Sequence, residues 1–235
     1  MITALCDNPA HIHQLCEQLD LGHPSGSLGQ VGGGFHHRMW QLDTSRGSFA
    51  IKQLADDLDM RNTTTLERIN ATELTAREFS DHGVPALYSL ASERQHLQLL
   101  DGVGYLVYPW TDAMACHKNR IEKKHALTVA GILARIHRSN IHVPELRDVP
   151  ALPLTADRVT DLVQLARQRN VRESQLLEAR LDDLLEAVEL QAPALALLQQ
   201  DQVVSHGDLD HKNVLWDQRG EPLLIDWESA RRLNP

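Results

Sequence analysis

Two short segments near the end of the chain carry the residues best suited to chemistry. One is Ser205-His206-Gly207-Asp208-Leu209-Asp210-His211-Lys212-Asn213-Val214-Leu215-Trp216, and the other is Leu224-Ile225-Asp226-Trp227-Glu228. A carboxylate and an Asn four spacers apart, on a loop entering a strand, can place Asp208 and Asn213 around one small cavity. Asp226 adds a second carboxylate at the end of an apolar strand. Phosphoryl transfer from a nucleotide needs these parts: a base beside the acceptor hydroxyl, and two oxygen ligands for magnesium beside the phosphates. A carboxylate and an amide oxygen suit Mg²⁺, a hard cation that keeps several waters. A mere polar turn between strands does not account for Asp226, because a lone carboxylate after an apolar run is costly if buried.

Asp-x-x-x-x-Asn followed by a strand, a turn and Ile-Asp-Trp-Glu resembles the aminoglycoside phosphotransferase and choline kinase-like family. These are small-molecule kinases with a protein-kinase-like fold. In that family the loop begins His-Gly-Asp, as at His206-Gly207-Asp208, and a triplet such as Asp226-Trp227-Glu228 follows. The resemblance implies that Asp208 is the catalytic base or hydroxyl-orienting residue and that Asn213 and Asp226 hold magnesium. It implies ATP and Mg²⁺ as cofactors and a supporting role for His206.

The upstream half has residues that match the same family. Ala50-Ile51-Lys52 resembles the lysine strand of kinases, which makes Lys52 the expected ligand of the α- and β-phosphates. That lysine needs a carboxylate partner on the next helix, where Glu67, Glu73 and Glu78 lie. Glu73 is mid-helix and is the expected partner; Glu67 is near the helix start and Glu78 near its end. The turn Gly32-Gly33-Gly34 lets backbone amides approach phosphates, since no Cβ is in the way. It has neither the Walker A nor the dinucleotide spacing. Tyr105-Leu106-Val107-Tyr108-Pro109-Trp110 looks like the strand that enters the interlobe hinge, so the main chain around Tyr108 and Trp110 is expected to bind adenine.

The elements that must position these residues follow from periodicity. Ile12, Leu15, Cys16 and Leu19 have helical spacing, and a Gly/Ser-rich stretch follows from Gly22 to Gly34. Residues 37–42 and 48–54 read as a hairpin joined at Asp43–Gly47. Thr65 to His82 reads as a helix stopped by Gly83, and 95–100 and 105–108 as two further strands. Beyond Pro109 the pattern turns helical, over 125–138, 156–169 and 173–191, before short strands at 202–205, 213–216 and 222–225. The order predicts an α+β, two-lobe, protein-kinase-like fold. Residues 1–108 would form a lobe of antiparallel sheet plus helix. Residues 109–235 would form a mainly helical lobe with a small β insert. The chain stops a few residues past Glu228, at Asn234-Pro235, where the family normally continues with further helices, so the expected second lobe is incomplete and with it the acceptor pocket.

Composition bounds the partners. Of 235 residues 42% are hydrophobic, enough for a real core, and the formal net charge is −9 with only 4% aromatics, which argues against nucleic-acid binding. No apolar run or basic leader points to a membrane or to secretion, so a cytoplasmic protein is expected. Cys6, Cys16 and Cys116 are scattered and form no CxxC pair. The thirteen histidines lack zinc-site spacing. The expected function is an ATP- and Mg²⁺-dependent kinase acting on a hydroxyl of a small molecule. The carboxylates near the end of the chain would favour a cationic acceptor such as an aminoglycoside or amino alcohol. An inactive nucleotide-binding regulator is the main alternative. A metal-dependent phosphohydrolase built on His206, Asp208, Asp210 and His211 comes third, because it leaves Lys52 and the glycine turn unexplained.

Overall fold

Alternating burial along neighbouring strands builds the first layer of the fold. The computed structural model describes residues 5–26, 28–32, 36–146, 154–198 and 200–235. Helix α1 (Pro9–Gln18) precedes strands β1 (Gly29–Val31), β2 (Arg38–Thr44) and β3 (Gly47–Gln53). Helix α2 (Thr63–Asp81) then leads to β4 (Gln98–Leu100) and β5 (Val103–Pro109). These five strands form an antiparallel sheet in the order β1-β2-β3-β5-β4. Side chains alternate across it. Trp40, Leu42, Ile51, Tyr105 and Val107 pack with Leu15 and Cys16 of α1 on one face. Leu54, Leu106 and Tyr108 pack with Leu66 and Ile69 of α2 on the other. Lys52 follows Ile51 and lies opposite Leu106 in register, so it shares the α2 face.

A second core joins α2 to the elements that follow the sheet. They are α3 (Lys123–Ser139) and, after three more helices, β7 (Val203–Ser205), β8 (Val214–Trp216) and β9 (Pro222–Leu224), with the exposed strand β6 (Met114–Ala115) ahead of α3. Strands β6, β8 and β9 form a small antiparallel sheet in the order β6-β8-β9. Ala76 and Phe79 of α2, Ile132 and Ile136 of α3, Val214, Leu224 and Trp227 are buried together. Phe79 stacks on Trp227, with ring centroids 5.3 Å apart. Leu224 also pairs its main chain with Pro85 and Leu87, through Leu224 N–H to Pro85 carbonyl (2.7 Å) and Leu87 N–H to Leu224 carbonyl (2.8 Å).

By compactness the chain divides into two units, residues 1–147 with 204–231, and residues 148–203 with 232–235. The expected boundary after Tyr108 lies inside the first of these. The second unit holds α4 (Ala156–Gln168), α5 (Ser174–Ala179) and α6 (Leu181–Leu198), which contact one another. The single helix expected over 173–191 is therefore two, broken at Arg180, and the second continues through Pro193 to Leu198. Proline removes one helical N–H there without ending the helix. Helix α2 starts two residues earlier than periodicity suggests, because the Asn62 side chain caps it by accepting from Thr64 N–H at 2.9 Å. Strand β1 arises from the Gly/Ser-rich stretch through main-chain pairing with β2, which side-chain patterning does not reveal. Among the described residues no helix is long and apolar enough to cross a membrane.

Candidate active site

The loop between β7 and β8 is shaped by two residues that touch its neighbours from inside. His206 is fully buried beneath Trp227, with ring centroids 4.5 Å apart. Its Nε2–H donates to the Ile225 carbonyl (2.9 Å) and its Nδ1 accepts from Asp208 N–H (3.4 Å). These partners assign the neutral Nε2–H tautomer, and burial lowers the pKa of the imidazole, favouring the same form. Gly207 has φ +82°, and a Cβ there would stand 2.1 Å from the Ser229 carbonyl oxygen. The loop thus closes against the segment after β9 only with glycine at this position.

Asp208 leaves the loop with its carboxylate about half exposed. Asn213, buried at the end of a 3₁₀ turn (His211–Asn213), donates from Nδ2 to the Asp208 carbonyl (2.7 Å) and to Asp208 Oδ2 (3.1 Å). Those bonds leave its amide oxygen unused, a hard donor of the kind a cation such as Mg²⁺ takes. The Asn213 carbonyl accepts from Ile225 N–H (3.0 Å), one residue before Asp226. Asp226 has φ +63°, a left-handed conformation that Asp tolerates better than most residues, and it turns the chain from β9 into the 3₁₀ turn Trp227–Ser229.

Lys52 reaches this segment from the sheet. Its ammonium donates to Asp226 Oδ1 (2.7 Å) and to Glu228 Oε2 (3.0 Å). Burial alone pulls the lysine pKa down, but the two carboxylates outweigh it and leave the pKa raised. Glu228 is held at a pKa of about 2 by its hydrogen bond from His37 and by Lys52, against a smaller opposing effect of burial. A depressed carboxylate favours the folded state above its ordinary pKa of 4.5 and loses that contribution as pH falls toward 2. Glu228→Gln is therefore expected to flatten the acid limb of a melting-temperature profile between those pH values and to leave its shape above pH 5 unchanged.

In this structure the helix glutamate expected to pair with Lys52 makes other contacts. Glu73 is buried in the middle of α2, but its two oxygens accept from Ser89 N–H (2.7 Å) and from the Tyr108 hydroxyl (2.7 Å). The Tyr108 hydroxyl is pushed well above its ordinary pKa by burial and by Glu73. The contacts of Lys52 go instead to the loop after β9, because that loop brings two carboxylates to the open end of the sheet. The hinge expectation also shifts. Trp110 N–H donates to the Ser48 carbonyl (3.0 Å), and Tyr108 lies opposite Ala50 in the same antiparallel register. Alternation then directs the main-chain groups of Tyr108 and the N–H of Trp110 into β3 and turns the Pro109 carbonyl away from it. Gly32 has open space where a Cβ would lie. Gly33 and Gly34 lie outside the described residues.

Three side chains beyond the expected site residues are brought to the site. Glu228 and His37 adjoin Lys52 as above, and Lys212 Nζ lies 3.6 Å from Asp208 Oδ2. The i,i+4 spacing of Asp208 and Lys212 and the place of Glu228 in the Asp226-Trp227-Glu228 triplet are the signals that local sequence offers for these contacts. Asp210 and His211 bond to each other at 2.5 Å. Among the described residues no three His, Cys, Asp or Glu side chains converge as a metal cage. The donor set is one amide oxygen and one carboxylate, which fits a cation such as Mg²⁺ that fills its remaining positions with water and phosphate.

A family model described as the phosphotransferase enzyme family matches residues 27–235, nearly the whole chain. The chain belongs to the phosphotransferase enzyme family. Membership makes this phosphotransferase a small-molecule kinase, and its α+β fold, with an antiparallel sheet ahead of a helical part, matches the protein-kinase-like structures of the same kind. One similar structure is spectinomycin phosphotransferase in complex with ADP and spectinomycin, at TM-score 0.65 and 17% identity, covering 94% of this chain and 69% of that one. A second is choline kinase LicA from Streptococcus pneumoniae, at TM-score 0.58 and 21% identity, covering 96% of this chain and 71% of that one. A third is an aminoglycoside phosphotransferase in ternary complex with AMP-PNP and hygromycin B, at TM-score 0.54 and 14% identity, covering 95% and 72%. No curated protein sequence matches this phosphotransferase.

Proposed function

We propose that this phosphotransferase transfers the γ-phosphoryl group of ATP, with Mg²⁺, to a hydroxyl of a small cytoplasmic molecule. The observation that carries this reading is the convergence of two pairs, Asn213 on Asp208 and Lys52 on Asp226, joined through the Ile225 N–H bond to the Asn213 carbonyl. The half-exposed Asp208 carboxylate accepts a hydrogen bond from the acceptor hydroxyl and takes its proton as the oxygen attacks the γ-phosphorus. The bond from that phosphorus to the bridging oxygen breaks, and ADP leaves. Lys52 presents its ammonium to the phosphates, whose oxygens replace a carboxylate partner when nucleotide enters. Bound magnesium supplies neutralisation of the phosphate charge, and Asn213 and Asp226 are the residues that would hold it. The Pro109 carbonyl takes over the adenine contact expected around Tyr108 and Trp110, with Gly32–Gly34 near the phosphates.

Similar structures held with ADP or AMP-PNP support nucleotide use, and those held with spectinomycin and hygromycin B support a small-molecule acceptor. A cationic aminoglycoside or amino alcohol is the class to test first. ADP release from Mg-ATP is measured across aminoglycosides, choline, ethanolamine, thiamine, homoserine and simple sugars, beside the melting temperature with and without ATP. Acceptor-dependent release is the expected result. ATP stabilisation with no turnover on any acceptor would favour a nucleotide-binding regulator, and no stabilisation at all would overturn the nucleotide reading.

A further inference from the structure

His37 stands where the segment after the glycine turn enters β2, and its side chain is only 8% exposed. Its Nδ1 accepts from the N–H of Ala55, two residues past the end of β3 (3.0 Å), and its Nε2 lies 3.1 Å from Glu228 Oε2. An imidazole that accepts at Nδ1 carries its proton at Nε2, so neutral His37 donates to the carboxylate. The same oxygen, Oε2, accepts from Lys52 Nζ. Glu228 is therefore gripped from one side by His37 and itself grips Lys52 beside Asp226. The neighbouring His36 is exposed, faces Asp57 at 3.2 Å and meets the His37 ring edge-on, with centroids 5.2 Å apart.

We propose that His37 is a positioning residue for Lys52. Acting through Glu228, it sets the lysine ammonium where nucleotide phosphates meet it, and it ties the segment after the glycine turn to the loop after β9. The proposal rests on the reading of Lys52 as a phosphate ligand. Glu228 on its own is a flexible side chain with half its surface in solvent, and a directional donor at a nearly buried position restricts it to the rotamer that meets Lys52. The imidazole has a second function at Ala55, and the two are separable by chemistry. Gln at position 37 puts an amide N–H near the place of Nε2 and keeps the donation to Glu228, but it offers no acceptor at the place of Nδ1. Asn puts an acceptor near the place of Nδ1 and keeps the bond from Ala55, but it falls short of Glu228.

The test is isothermal titration of Mg-ADP and Mg-ATP into the full chain, with the melting temperature of the free protein measured alongside. The proteins compared are wild type, His37→Gln, His37→Asn, Glu228→Gln and the double variant His37→Asn with Glu228→Gln. Loss of one charge-assisted hydrogen bond corresponds to about tenfold in affinity. His37→Asn is expected to weaken nucleotide binding by about that factor, and His37→Gln to stay within roughly threefold of wild type on the same scale. In the Glu228→Gln background His37→Asn should add no further loss. If His37→Asn binds nucleotide as wild type does, or if the affinities follow the melting temperatures with Gln worse than Asn, His37 serves only to anchor Ala55 and the proposal is overturned. If wild type binds neither nucleotide, the phosphate-ligand reading of Lys52 fails first and the proposal falls with it.

Discussion

Asp208→Asn is expected to lower acceptor-dependent ADP release by about 10²–10⁴-fold, the range a positioned general base contributes, while ATP affinity stays within about twofold of wild type. The substitution removes a proton acceptor and little else. The Asn side chain can still present its oxygen to Asn213 Nδ2, which now bonds to Asp208 Oδ2 at 3.1 Å, and the main-chain bond from Asn213 to the residue-208 carbonyl at 2.7 Å does not involve the side chain. What is lost is the negative charge of a half-exposed carboxylate, whose Oδ2 also lies 3.6 Å from Lys212 Nζ. Asp210→Asn is the matched control. Asp210 also carries an exposed carboxylate on this loop, but its Oδ1 is bonded to the N–H and ring of His211 and its Oδ2 lies 3.9 Å from Lys212 Nζ. Single-turnover rates for the two variants, with nucleotide affinity measured by titration, decide the matter. An Asp208→Asn enzyme within tenfold of wild type, or an Asp210→Asn enzyme equally impaired, would remove Asp208 from the role of base.

The second large effect is expected on stability, from Gly207→Ala. A left-handed conformation costs a residue with a Cβ roughly 1–2 kcal/mol, and forcing an atom into an occupied position costs about 1–3 kcal/mol more. Both apply here, because φ is +82° and the new Cβ would lie 2.1 Å from the Ser229 carbonyl oxygen and 2.8 Å from its carbonyl carbon. The clashing atoms belong to main chain, which cannot swing aside as a side-chain tip can. A total of about 2–5 kcal/mol is a large share of the 5–15 kcal/mol by which a typical domain is stable. Gly220→Ala isolates the two contributions, since Gly220 has φ +80° and open space around its Cβ position. Chemical denaturation should therefore show Gly220→Ala losing only the conformational part and Gly207→Ala losing substantially more. Equal losses would mean that the segment around Ser229 yields freely, and that the glycine of this loop answers only to φ.

Local spacing already determines much of this protein. Asp208 and Asn213 meet because four intervening residues, closing in one 3₁₀ turn, bring them together, and Asp226 lies two residues past β9, so both motifs are legible without the fold. Strand alternation places Lys52 opposite Ile51, and the helical stripe of α3 is readable for the same reason: each depends on a few consecutive residues. The tertiary structure alone decides which charges meet across distance. Lys52 and Asp226 are 174 residues apart in sequence, and Glu73 and Tyr108 are 35 apart. Nothing in local periodicity distinguishes a helix glutamate that meets a lysine from one that accepts from a tyrosine and a backbone amide. That choice is made by how far α2 stands from β3 and by which carboxylates the loop after β9 delivers. The same holds for His37, which in the sequence is one of thirteen histidines without zinc-site spacing, and whose neighbours in space are an amide just past β3 and the carboxylate that holds Lys52. A hydrogen bond is set by position and direction within a few tenths of an ångström, and that information exists only once the chain has folded.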